Sequence, residues 1–140
     1  MSENTLPSKE DVQARLRRGP YHQWLGIEVL SVGEGEIELS AKWREEWVVN
    51  PEGGYTHGGI LAALVDLTAD WALVSQTGRG VPTIDLRVDY HRPAMRGDLR
   101  AKGKVIKAGS ISIAEAYVYD SEGKLLASGR GAYSTPKPKA

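Results

Sequence analysis

The sequence predicts an α+β domain in which one antiparallel sheet curls its apolar face around a single central helix. Three observations lead there. Several segments alternate apolar and charged residues with period two, as strands do when one face is packed and the other wet. The segment GGILAALVDLTADWALVSQ, residues 58–76, is apolar on nearly every side, so a helix there must be enclosed. And 140 residues with 41% apolar and 26% charged side chains suit one compact domain with a real core.

The elements follow in order. Ser8 and Asp11 resemble a capping box, predicting a helix over 9–18 that Gly19-Pro20 ends, with a linker behind it. A strand over 27–32 turns at Gly33-Glu34-Gly35. In the next strand, 35–43, Ile37, Leu39, Ala41 and Trp43 face inward between Glu36, Glu38, Ser40 and Lys42. The long helix comes next, closed by Thr77-Gly78. Ile84, Leu86, Val88 and Tyr90 alternate with Asp85, Arg87 and Asp89, and Leu99, Ala101 and Val105 with Asp98, Arg100, Lys102 and Lys104. Residues 111–119 and 124–133 form two more strands joined by the turn 120–123, giving the order β-β-α-β-β-β-β. We therefore expect residues 1–24 as an N-terminal helix and linker, 25–135 as the main domain, and 136–140 as a flexible tail.

Composition excludes several function classes. Eighteen basic residues balance eighteen acidic ones, which argues against a nucleic-acid or anionic-membrane partner. With no cysteine there is no disulfide, thiol nucleophile or thiolate metal site, and three histidines (His22, His57, His91) make a His-rich metal site a poor expectation. The polar N-terminus lacks the apolar core of a signal peptide, and the longest strongly apolar run, 60–65, is far short of a membrane span. A cytoplasmic location is the expectation.

Two features carry chemistry. Asp66 lies in the middle of the apolar helix with Asp70 one turn on, and a carboxylate there costs several kcal/mol, of order ~3, unless paired or solvated. Either both aspartates sit on a stripe facing water or a subunit boundary, or they form a site. Before the helix stands Tyr55-Thr56-His57-Gly58-Gly59, where glycine lets a ligand approach and first-turn N–H groups have no intrahelical acceptor. Such a turn can hold an anion or a developing oxyanion, or it merely starts a helix. Gly58 and Asp66 are about 12 Å apart along one helix. If both belong to one site, a second subunit supplies the missing half.

These residues belong to a larger set: Asn50-Pro51, His57-Gly58-Gly59, Asp66, Val88-Asp-Tyr-His-Arg-Pro-Ala94, Gly97-Asp98, Lys107-Ala-Gly-Ser110, and Glu122-Gly-Lys-Leu-Leu-Ala127 with Gly129. From about Leu25 to Tyr133 the chain resembles the hotdog-fold acyl-CoA thioesterases, in their phenylacetate-pathway (PaaI-like) branch. The resemblance implies a hydrolase that splits an aryl or medium-chain acyl-CoA into a carboxylic acid and coenzyme A, the latter as part of the substrate, with no metal and no other cofactor. It implies Asp66 as the general base or nucleophile, the Gly58 N–H as the donor to the thioester oxygen, and His57 beside the thioester. Asn50 and Thr83 would position water. For the coenzyme it implies Gly59, Tyr90, Arg92 and the turn Lys107, Ala108, Gly109, Ser110. A homodimer would complete the site, and the family favours a homotetramer.

Two departures stand out: the loop from Asn50 to His57 is one residue longer than the common pattern, and Asp70 replaces a small or hydroxyl residue. We read Asp70 as a solvated or interface residue. Arg87 to Lys107 holds seven basic and two acidic residues, among them Arg92, Arg96, Lys104 and Lys107 as candidate phosphate contacts, though much of this zone is the wet side of strands. Competing readings are a non-catalytic acyl-CoA-binding module and an acyl-thioester dehydratase. The latter needs a His/acid pair poised over the acyl chain, of which the sequence gives no sign.

Overall fold

The protein is described here by a computed structural model covering residues 6–138. Residues 1–5, and the last two of the expected tail 136–140, lie outside the described residues; 136–138 are exposed and without regular structure. The elements are α1 (Lys9–Leu16), α2 (Pro20–Leu25), β1 (Ile27–Gly33), β2 (Glu36–Ala41), a 3-10 turn (Glu45–Trp47), β3 (Val48–Asn50), β4 (Tyr55–Thr56), α3 (Gly58–Thr77), β5 (Thr83–Tyr90), β6 (Leu99–Lys107), β7 (Ile111–Tyr119) and β8 (Leu125–Ser134). Six strands form one antiparallel sheet in the order β1-β2-β6-β7-β8-β5, while β3 and β4 make a separate small hairpin.

The sheet wraps α3, as its all-round apolarity requires. Leu61, Leu64, Val65, Ala72 and Leu73 are buried against Leu39, Ala101, Ala114, Ala116 and Ala127 from the strands. Small residues on the strands let the helix lie close. A Cβ on Gly103 would sit 2.5 Å from the Thr68 carbonyl oxygen, and one on Gly129 would strike Val65 and the Arg87 carbonyl. Alpha3 is also the one helix among the described residues long and apolar enough to cross a membrane, but 61% of that window is buried inside this fold.

The Ser8–Asp11 capping box forms in both directions and starts α1, whose Val12 and Leu16 are fully buried in the common core. The stretch expected to be a linker holds a second helix instead. Pro20 does not merely end α1; it occupies the first turn of α2, where its missing N–H is no loss, and Gly26 closes that helix at φ 64°.

Strand β5 departs from the expected one-sided burial. Its alternation places Leu86 and Val88 partly inside, but Ile84 and Tyr90 remain 56% and 55% exposed. The cause is topological: among the described residues β5 is an edge, paired only with β8.

Candidate active site

Alpha3 is enclosed on all sides but one. Gly59, Ala62, Ala63, Asp66 and Asp70 recur at helical spacing and form an incompletely covered stripe along it. Both aspartates are therefore only partly buried.

The Asp66 carboxylate is fixed by its own chain. Its Oδ1 accepts hydrogen bonds from the Thr83 hydroxyl at 2.8 Å and the Tyr133 hydroxyl at 3.1 Å. Its Oδ2 has no partner among the described residues and is left for other work. Tyr133 is fully buried, and its hydroxyl also meets the Asp66 carbonyl at 3.1 Å. Burial, and then the neighbouring Asp66 charge, raise the Tyr133 hydroxyl further above the tyrosine range, so it serves as a donor and keeps its proton. The sequence reading missed this tyrosine; an inward-facing aromatic with a polar end was the available signal.

Burial also pushes the Asp70 carboxyl up to about 7, with the Asp66 charge adding to the effect. Both aspartates open on a cleft of about 410 Å3 between α2 and α3, walled by Tyr21, His22, Leu67, Trp71 and Val81. A larger groove of about 740 Å3 lies on the outer sheet face among Glu38, Lys102 and Tyr119. None of the candidate catalytic groups lines it.

At the start of α3 the side chain of His57 is the N-cap: its Nδ1 accepts from the Gly59 N–H at 2.7 Å. A ring that accepts at Nδ1 carries its neutral-state proton on Nε2. The His57 carbonyl takes the Ile60 N–H at 2.9 Å. Gly59 is thus engaged, and the Gly58 N–H is the first-turn donor without an acceptor among the described residues. The Tyr90 hydroxyl donates to the Gly58 carbonyl at 2.8 Å, so Tyr90 braces the helix start.

Asn50 points its Oδ1 into its own turn, accepting from the N–H groups of Glu52 at 3.0 Å and Gly53 at 3.4 Å. It shapes the loop before the helix, and in this chain that oxygen does not reach Asp66. Arg92 lends one nitrogen to the Leu125 carbonyl at 3.3 Å. At the other end of the sheet the turn 107–110 is tied down by Thr135, which donates to the Gly109 carbonyl from its hydroxyl and to the Ser110 carbonyl from its N–H.

The candidate residues thus fall into two groups. Tyr90 pairs with Ala127, whereas Thr83 pairs with Tyr133 and Ile111 with Ser134. Asn50, His57, Gly58, Gly59, Tyr90 and Arg92 gather at one end; Asp66, Thr83 and Tyr133 lie toward the other, where Lys107, Ala108, Gly109 and Ser110 turn. The length of β7 separates the ends by roughly 30 Å. One chain does not bring Tyr90 and Arg92 to the same ligand group as the turn 107–110. Among the described residues no three His, Asp or Glu side chains converge as a metal site would need.

Comparison with known proteins places this geometry in a family. The thioesterase superfamily profile matches residues 53–127. A crystal structure of a thioesterase-superfamily protein superposes with a TM-score of 0.86 at 50% identity, covering 89% of this chain and 95% of the other. A Halobacterium salinarum protein named as an esterase is 38% identical over 122 residues, 79% of this chain and 80% of its own length. Human acyl-coenzyme A thioesterase 13 is 29% identical over 140 residues, 93% and 95% of the two chains. The expected hotdog architecture is the one observed, and with more than half its length inside the matched profile the chain belongs to the thioesterase superfamily and is a thioester hydrolase.

Proposed function

We propose that the protein hydrolyses acyl-CoA thioesters, with Asp66 of one subunit working opposite the Gly58 N–H of its partner. The observation that carries this reading is the half-held carboxylate: Thr83 and Tyr133 fix Oδ1, and Oδ2 is left free beside a cleft. A carboxylate so oriented either attacks the thioester carbon or takes a proton from water that does. The free N–H at the helix start, aided by the helix dipole, stabilises the oxyanion that forms. By the first route water then cleaves the acyl–Asp66 anhydride; by either, coenzyme A leaves as the thiol, having gained a proton, and the acyl group leaves as the acid. His57, with a proton on Nε2, stands beside the donor and faces the thioester. The reading requires no metal and no redox cofactor, and it places the enzyme in the cytoplasm, where acyl-CoA is available.

Two features support sharing the site between subunits. Strand β5 leaves an unpaired edge with Ile84 and Tyr90 exposed beside it, which a second copy can cover. And if two α3 helices lie antiparallel across a two-fold axis, facing residue 66 with residue 58 centres the axis on residue 62. Ala62 and Ala63 stand there, partly uncovered and small enough for close approach. In that dimer Tyr90 and Arg92 of one subunit join the turn 107–110 of the other around one coenzyme, with Asn50 entering from the same side as Gly58. The cleft between α2 and α3 takes the acyl group; its aromatic walls suit aryl or medium-chain acids, as the phenylacetate branch would require. The family resemblance favours pairing of such dimers into a tetramer.

The test is Asp66→Asn. Thiol release from a panel of acyl-CoAs should fall to background while coenzyme A still binds, which also separates the hydrolase from a binding module. Unchanged turnover would remove Asp66 from the reaction.

A further inference from the structure

We infer that Arg96 is a positioning residue, whose guanidinium braces the loop carrying Asn50 and leading into His57 and Gly58. This rests on the hydrolase reading above but assigns Arg96 a role other than the phosphate contact suggested by its basic neighbourhood. Three observations on one loop carry it. The Arg96 Nη2 donates to the Pro51 carbonyl at 3.1 Å. The same nitrogen lies 3.5 Å from Glu45 Oε1, just before β3. Nη1 lies against the backbone of Gly54, a residue at φ 74° whose Cβ, if present, would overlap the guanidinium.

The ends of the loop are tied as well. Asn50 and Gly54 close it through a 2.8 Å hydrogen bond, the Thr56 N–H reaches the Ala94 carbonyl at 2.8 Å, and the His57 N–H reaches the Trp47 carbonyl at 2.8 Å. Arg96 and Ala94 therefore belong to one strap beneath the loop. The Glu45 pair is solvated and adds little stability. Its consequence is directional: one flat cation meets a carbonyl, a carboxylate and a glycine backbone at fixed angles, which a flexible ammonium cannot imitate. The guanidinium is also partly neutralised, and its donors are turned toward the loop rather than toward a phosphate.

The experiment compares Arg96→Lys and Arg96→Ala with the unsubstituted enzyme on two thioesters of the same acid, one of coenzyme A and one of pantetheine, which has no phosphate. Coenzyme A affinity is measured beside them by calorimetry at low and high salt. Displacing the loop should lower kcat about 10- to 100-fold for both substitutions and both thioesters, with coenzyme A affinity and its salt dependence unchanged. Gly54→Ala, which pushes on the same contact from the loop side, should show the same pattern and add little to Arg96→Ala. A near-normal Arg96→Lys would overturn the inference, because a phosphate contact survives on charge alone. So would a loss confined to the coenzyme A thioester and accompanied by weaker, less salt-sensitive coenzyme binding.

Discussion

Replacing Gly58 by proline deletes the one N–H on which the oxyanion argument rests and leaves the helix a residue it accepts. Gly58 is the first residue of α3, where proline's missing donor has no intrahelical acceptor to lose. His57, at φ −57° and ψ 132°, already has the extended backbone that a residue before proline adopts. The complication is steric: any Cβ at position 58 comes within 3.3 Å of the Tyr90 ring, which must give by a few tenths of an ångström. Gly58→Ala carries the same Cβ and keeps the N–H, so the ratio between the two variants isolates the donor. Loss of one oxyanion donor costs about 100- to 1,000-fold in kcat, or about 3–4 kcal/mol. Steady-state thiol release from a common acyl-CoA, at saturating and limiting substrate, reads that ratio, and it should fall on kcat more than on KM. If proline and alanine reduce kcat equally, the Gly58 N–H stabilises nothing in the transition state and the oxygen is held elsewhere.

The two hydroxyls on Asp66 should prove unequal to the carboxylate itself. Thr83→Val or Tyr133→Phe removes one donor from Oδ1, worth roughly 1–3 kcal/mol for a bond to a charged group, so kcat should fall about 10- to 100-fold. A variant of either kind with full activity would separate that hydroxyl from the chemistry. Asp70 gives a pH prediction. Its carboxyl titrates near 7 in the folded chain against an ordinary 3.8, so the folded state holds the proton more tightly. Stability from this group is complete below pH 3.8 and declines as pH rises through 7, then levels. Asp70→Asn should therefore stabilise the protein at pH 8 relative to pH 4 by about 3 kcal/mol in denaturant titrations. An equal effect at both pH values would mean that Asp70 is as well solvated folded as unfolded.

Most of the fold was legible because its strands and central helix obey their own periodicities. Ser8 and Asp11 announced α1, and the apolar run from Gly58 announced a helix that had to be wrapped. What escaped depended on pairing or on doubled meanings. Pro20 after a glycine reads as a stop, yet the same residue starts α2. Ile84 and Tyr90 have the right alternation for an inner face, but strand order leaves them at an open edge, and order is not written in local pattern. In the site, Asp66, His57 and Gly58 were visible as residue types at telling positions, whereas Thr83 came only through the family resemblance; Thr83 and Asp66 do meet. Tyr133 was hidden because a tyrosine in a strand is ordinarily packing. Asn50 and Arg96 looked like free functional groups, and only their hydrogen bonds to the loop 50–55 reveal where those groups are directed.

Whether one active site is assembled from two subunits is most directly measured by mixing variants. Asp66→Asn and Gly58→Pro enzymes, each inactive alone, are unfolded together, refolded in equal amounts and assayed. If Asp66 works against its partner's Gly58, every hybrid dimer regains one intact site, and random pairing restores about one quarter of normal activity. Were the two groups to act within one chain, no hybrid would hold an intact site and the mixture would stay as inactive as its parts.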